Sequence, residues 1–393
     1  EATESEIVGP DTYTAAAPWT GYTTVVSSSD SYDYPSLAFD GATPHLAFYQ
    51  GSRALYHAAH DGTDWQVTLV DDSAPTTYLQ QGAALDIGGG QVGILGALRA
   101  GSSGNYTMTV HYAARPLTAT TWVTGTALTL TYSGNDPRPT LALDGAGQAH
   151  LAYYDSRDQT LRYAAEAEGF APTMADESRA LGRAAVALGV DGAIHVAWDS
   201  KGLPYAVGAA DTPTWTRQMA VLEPGVSHPA LALAVDGADT PHLLYGERNT
   251  RLYHATPATD STWITHMVDL PGDVRGFDIS AEVTGTAHVA YIAAQGGDHV
   301  LRHAAFDGAG WLTETLAVVS PATGNHNQTP QIVAQGGQVY VLYADCTQNP
   351  DDGSDYPIAL RLATWDGDVW AHDTLHEFVG QCDWRLTYQL AGD

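Results

Sequence analysis

Lysine is nearly absent from this chain: Lys201 stands alone among 393 residues, and 16 basic side chains face 45 Asp and Glu. The resulting formal charge of −29 excludes nucleic acid as a partner, because phosphate-rich surfaces are held by basic groups that displace counterions. Charged residues of both signs make up only 16 % of the chain, so base is missing more than acid is in excess. Cysteine is limited to Cys346 and Cys382, enough for one disulfide. No apolar run approaches the roughly 20 residues that a helix needs to cross a bilayer, so no membrane span is expected. No stretch keeps a 3.6-residue apolar period, which argues against helices. What is present is material for a core: 44 % hydrophobic residues, with 10 Trp and 21 Tyr.

That material is periodic. The phrase YPSLAFDGATPHLAFYQGSRALYHAAHDGTDWQVTLVD, beginning at Tyr34, returns six times in more or less degenerate form. Each copy closes on an aromatic residue: Trp65, Trp122, Phe170, Trp215, Trp263, Trp311 and Trp370, with Trp19 one spacing earlier. Within a copy, four short alternating runs are separated by Asp-Gly, Gly-Gly or Ser/Asn/Gly turns, the pattern of four antiparallel strands. Four strands in a repeat of about 45 residues is the signature of propeller blades. The expected fold is therefore all-β, a seven-bladed β-propeller of four-stranded antiparallel blades.

The expected organisation is a single domain over 1–393, with seven blade repeats in 34–375. Residues 1–33 hold a closing strand in APWTGYTTVV, and residues 376–393 hold an extra strand in CDWRLTYQL. Two strands beyond seven complete blades leave three arrangements open: a strand on an outer edge, a partly built eighth blade, or a terminal strand exchanged between subunits. The repeat resembles secreted bacterial β-propeller repeats of the form P-x-L-A-L-D, H-x-A-Y-Y-D, L-x-Y-A and D-G-x-x-W, loosely akin to sialidase-like and propeller-lectin repeats. The resemblance implies an architecture and leaves the activity open, since propellers host enzymes, lectins and scaffolds. The chain starts at Glu1 without Met, and low Lys with abundant Thr, Ser, Gly and Tyr resembles bacterial surface proteins. An extracellular or cell-surface location, with the signal peptide already removed and Cys346 bridged to Cys382, is the expectation.

Candidate sites were weighed residue by residue. A histidine opens the second strand of five copies (His45, His150, His195, His242, His288), with Gly93 and Tyr340 at the equivalent positions. A third-strand column alternates His57, His254 and His303 with Tyr112, Tyr163 and Tyr205. Equivalent second-strand positions of neighbouring blades lie about 9 Å apart, given a strand spacing near 4.8 Å. Metal ligands must each stand near 2.1 Å from one ion, so the histidines read as buried residues bonded to turn backbone. The Asp-Gly pairs at Asp40, Asp144, Asp191 and Asp236 read as turns. Only Asp351, Asp352 and Asp355 in DCTQNPDDGSDY offer oxygen ligands to calcium, without the spacing of a known calcium loop. No cofactor is otherwise expected.

Nine of the arginines map to loops of one propeller face, joined there by Lys201. Arg53, Arg99, Arg157, Arg248 and Arg251 fall between second and third strands, and Arg138, Arg179, Arg183 and Arg275 between consecutive blades. Arg53, Arg99, Arg138, Arg157, Arg183, Lys201, Arg248 and Arg275 are the expected ligand-binding residues, because loops on a rigid scaffold carry function. Tyr49, Tyr154, Trp198, Tyr245 and Trp365 are candidates for stacking on sugar rings or, more simply, for cementing blades. No Arg-Ile-Pro opening, sialidase box, Gly-x-Ser-x-Gly elbow or His-Glu-x-x-His occurs, so no catalytic residue is assigned. The sequence thus points to a non-catalytic extracellular propeller in surface recognition or assembly, as a filament or matrix subunit or an adhesin. A carbohydrate-binding propeller lectin is the alternative and a sialidase-like or other carbohydrate-active enzyme the second. Expected partners are a glycan or surface polymer and, through the terminal strands, a second copy of the chain.

Overall fold

The computed structural model describes residues 32–380 except 41–42, 51–53, 62, 73–78, 103–104, 133–136, 138, 156, 177–183, 201, 210–211, 222–230, 248–250, 259–261, 270–273, 307, 309, 322–328 and 347–355. It is a seven-bladed β-propeller: seven four-stranded antiparallel sheets, each in simple meander order. The blades span 32–71, 79–132, 140–176, 184–221, 231–269, 274–321 and 331–380. Blade 1 shows the rule, with strands Tyr32–Asp40, Thr43–Gln50, Ala54–His60 and Trp65–Asp71. The only helical element is a 3-10 turn at Glu166–Glu168 among the described residues.

Alternation explains why these runs form blades. Second strands are buried on both faces: AHLAYYD at Ala149–Asp155 is buried throughout except for its last residue. Alanine recurs there, as at Ala47, Ala152, Ala197 and Ala290, all fully buried, and its small side chain lets neighbouring sheets approach. First strands of consecutive blades pack in order from blade 1 to blade 7. Side chains clamp some of these contacts. The Leu85 N–H of blade 2 donates to Ser36 Oγ (2.9 Å), and the Leu143 N–H of blade 3 to the Asp86 carboxylate (2.7 Å). In blade 7, the Ile332 and Ala334 N–H groups donate to Asp278 (3.1 Å) and Ser280 (3.0 Å). Each such bond satisfies an edge N–H that the blade's own ladder leaves free.

Three sequence expectations change here. The RAGSSGNYTM insertion is a longer hairpin rather than a loop, with strands Gln91–Ser102 and Asn105–Pro116 paired as far as Ser102 with Asn105. Arg99 therefore lies in a strand opposite Met108, its guanidinium 4.8 Å from the Tyr106 ring centre. Arg251 opens the third strand of blade 5 opposite Glu247, and Arg275 lies within the first strand of blade 6, Val274–Ala281. Pairing also extends the blades beyond 34–375: blade 1 starts at Tyr32, and residues 376–380 belong to the last strand of blade 7, Trp370–Gly380. The terminal stretches 1–31 and 381–393, with Trp19 and Cys382, lie outside the described residues.

Candidate functional site: a cleft between blades 2 and 3

The two polar columns are partners of each other. His45 Nδ1 meets His57 Nε2 at 3.1 Å, His242 Nδ1 meets His254 Nε2 at 3.0 Å, and His288 Nδ1 meets His303 Nε2 at 3.1 Å. Where the third strand carries tyrosine, the hydroxyls of Tyr163 and Tyr205 stand 2.6 Å from His150 and His195. This corrects the expectation that the histidines bond turn backbone: cross-strand spacing brings a column-two ring onto a column-three ring first. Burial drives four of them neutral, lowering His45 and His288 to about 4 and His57 and His254 to about 3. Aspartates finish several pairs. Although burial opposes it, the N–H groups of Gln148 and Ala146 together with His150 hold the Asp144 carboxyl below its usual range.

The closing aromatic of each following blade then seals the interface. Trp122 packs edge-on against His57 (5.2 Å), Trp215 against Tyr163 (5.2 Å) and Trp263 against Tyr205 (5.0 Å). Trp311 does the same on His254 (5.2 Å) and Trp370 on His303 (5.0 Å). These T-shaped contacts are a preferred aromatic geometry.

One interface departs from the rule at both ends. Between blades 2 and 3, Gly93 replaces the histidine and Phe170 replaces the tryptophan, while Tyr112 holds the middle position and packs edge-on against Phe170 at 5.3 Å. A cavity of about 380 Å³ opens there. Its walls include the rings of Tyr112 and Phe170, the polar groups of Gln91 and Glu166, and the strand edge Val123–Ala127. Phe170 is held with φ 57°, a left-handed conformation that costs a non-glycine residue about 1–2 kcal/mol. Two local features enforce it: Gly169, also left-handed at φ 62°, and the Phe170 N–H bond to Ala165 O at 2.8 Å. Strain of this kind persists where surrounding structure imposes it, and it places an aromatic ring in the cleft wall.

The polar groups are fixed as well. One oxygen of Glu166 accepts the Ala149 N–H at 3.1 Å. Burial first, and then Glu166, raise the Tyr112 hydroxyl far above its ordinary pKa, so it stays protonated at neutral pH. Arg115 lies on the other face of the same strand, toward blade 1: its Nη1 donates to the carbonyls of Pro116 (3.2 Å), Leu117 (3.3 Å) and Ala119, and its guanidinium lies 4.9 Å from the Trp122 ring centre. The cleft itself offers an aromatic surface, a fixed carboxylate acceptor and the amide of Gln91. That set suits a polyhydroxylated ring.

The structure does not gather the expected site residues here. The cleft lies among first-to-second and third-to-fourth strand connections, the end of the ring opposite the arginine-bearing loops. Arg53, Arg138, Arg183, Lys201 and Arg248 lie outside the described residues, as do Asp351, Asp352 and Asp355; of Arg275 only the backbone is described. Arg157 is exposed in a turn whose N–H bonds Asp155. Among the described residues, no group of three metal-ligating side chains occurs. Tyr49, Tyr154, Trp198 and Tyr245 are at most 6 % exposed, so they cement blades, and Trp365 is half-buried against Trp370. The sequence reading passed over Glu166, although the broken repeat position nearby, phenylalanine for tryptophan at 170, was visible.

No family model matches the chain, and no curated protein matches it. Solved structures do. AofleA from Arthrobotrys oligospora is 12 % identical with a TM-score of 0.42, covering 76 % of this chain and 94 % of that one. A six-bladed fucose-recognising lectin from Aleuria aurantia is 11 % identical with a TM-score of 0.43, covering 90 % and 96 %. A polysaccharide lyase, an ulvan lyase, is 13 % identical with a TM-score of 0.44, covering 88 % and 86 %. At such scores the resemblance is one of general architecture and says nothing about the cleft.

Proposed function

We propose that this β-propeller is a non-catalytic recognition module, acting outside the cell, that binds a saccharide in the cleft between blades 2 and 3. One observation carries the reading. The interface in which Phe170 stands for the closing tryptophan opens into a 380 Å³ cavity walled by the Tyr112 and Phe170 rings and by hydrogen-bonding groups of Gln91 and Glu166. Aromatic rings take the apolar face of a sugar, while Glu166 accepts from ring hydroxyls and the Gln91 amide donates to them. A glycan array probed with the labelled protein tests it. Binding is expected for the native chain and is expected to fall at least roughly tenfold in Glu166→Gln, which removes a charge-assisted acceptor. An array blank at all glycans overturns the reading.

A further inference from the structure

Resting on the saccharide reading, we infer that the cleft selects an amino sugar, one carrying a protonated amine, and that Glu166 is the residue that receives its charge. A carboxylate drawn out of bulk water is stable when a counter-charge or hydrogen-bond donors replace its hydration. Other described carboxylates meet this rule with arginine. Asp158 pairs with Arg162, Asp269 with Arg302, and Asp345 with Arg361 at 2.8 Å. Glu166 lies half-buried in the cavity wall, and among the described residues no basic side chain pairs with it. The backbone engages one of its oxygens, through the Ala149 N–H at 3.1 Å. Arg115, the basic residue nearest in the wall, turns its guanidinium away over Trp122, toward His45 and His57 of blade 1, whose protonation it opposes.

The charge felt in the cleft is therefore of one sign. Burial and then Glu166, Asp86 and Asp144 all raise the Tyr112 hydroxyl, and no cation counters them. Asp86 and Asp144 are already bonded to backbone N–H groups of blade 3, which leaves Glu166 as the carboxylate open to a ligand. Tyr112 is itself 5 % exposed in the cavity wall, and its hydroxyl has no hydrogen-bond partner among the described residues. A buried hydroxyl in that state costs free energy that a ligand's polar group relieves. An ammonium brings three donors and no acceptor. The walls answer with acceptors, the Glu166 carboxylate, the Tyr112 oxygen and the Gln91 amide oxygen, and with the rings of Tyr112 and Phe170, which attract a cation. An N-acetylated sugar would instead present an uncharged amide, whose carbonyl oxygen the carboxylate repels.

The test uses an array of glucosamine- and galactosamine-containing glycans with free amines, beside their N-acetylated counterparts and neutral glycans, read with the full-length chain. Binding to the free amines is expected to be roughly 10- to 100-fold tighter than to the acetamides, the range of one charge-assisted pair, and to weaken with salt. Glu166→Gln keeps the shape and an acceptor for the Ala149 N–H, and is expected to level amines with acetamides. A second variant leaves Glu166 in place. Gly125 lines the same cleft, and a Cβ added there meets no atom within 4 Å. Gly125→Lys is therefore expected to fold normally and to weaken free amines more than acetamides. Equal binding of amines and acetamides to the native chain, or a preference unmoved in Glu166→Gln or in Gly125→Lys, overturns the inference and leaves the saccharide reading standing. Absence of all glycan binding overturns the saccharide reading itself.

Discussion

The interface between blades 5 and 6 and that between blades 2 and 3 occupy the same strand positions and end in opposite states. In the first, His242, His254 and Trp311 stack in sequence, with His266 and Phe306 filling the flank at 6.3 and 5.2 Å from His254. In the second, Leu143 fills the space beside Gly93, and Tyr112 and Phe170 line a cavity. The pocket forms where the closing tryptophan is replaced by a smaller ring in a left-handed backbone. In a repeat protein, uniform positions carry stability and the deviating copy carries the site.

The largest effect that separates them is mechanical. His254→Ala removes a fully buried ring touching four others and is expected to cost about 3 kcal/mol in urea unfolding. Phe170→Gly removes the cleft ring but relieves the left-handed strain, so its cost is expected to stay below about 1 kcal/mol. Equal costs would break the comparison.

Acid should act on the packed interfaces alone. Their histidines titrate below the unfolded value of 6.5, so the unfolded chain binds more protons as pH falls. The stability they confer is complete above pH 6.5 and declines toward pH 4, by about 1.4 kcal/mol per pH unit for each histidine that titrates freely. His57→Phe is expected to flatten that slope in a pH series of melts.

Asp278 gives the opposite sign. Burial raises its carboxyl from 3.8 to about 7, against the N–H groups of Ile332 and Ile279, so the fold favours the neutral acid and stability is lost as pH rises through 7. Asp278→Asn is expected to raise the melting temperature at pH 8 and to leave it unchanged at pH 3.5. The smallest stability effect is expected at the cleft mouth: Gly125→Trp should stay within about 0.5 kcal/mol of the parent, since a Cβ added at Gly125 meets no atom within 4 Å.

The fold was readable because strand alternation and the recurring His, Tyr and Trp positions are local and periodic. Strand limits were less so: the hairpin around Arg99 reads as a loop because Gly and Ser look like turn residues until pairing with Asn105–Met108 extends the ladder. The cleft was half readable. Phe170 was visible as an exception, but Tyr112 sits in a strand of blade 2, and Glu166 follows one of blade 3, 54 residues later. Only the packing of blade 3 on blade 2 brings those side chains into one cavity. Cys346 is fully buried after the second strand of blade 7, and intact-mass analysis without reductant is expected to find no free thiol if it bridges Cys382.

The most direct measurement is saturation-transfer NMR of an array-selected glycan with the native chain and with Gly125→Trp, both shown folded by circular dichroism. Transfer to the sugar ring protons with the native chain, abolished in Gly125→Trp, is the predicted result. Transfer of equal strength from both proteins would contradict the placement of the binding site between blades 2 and 3.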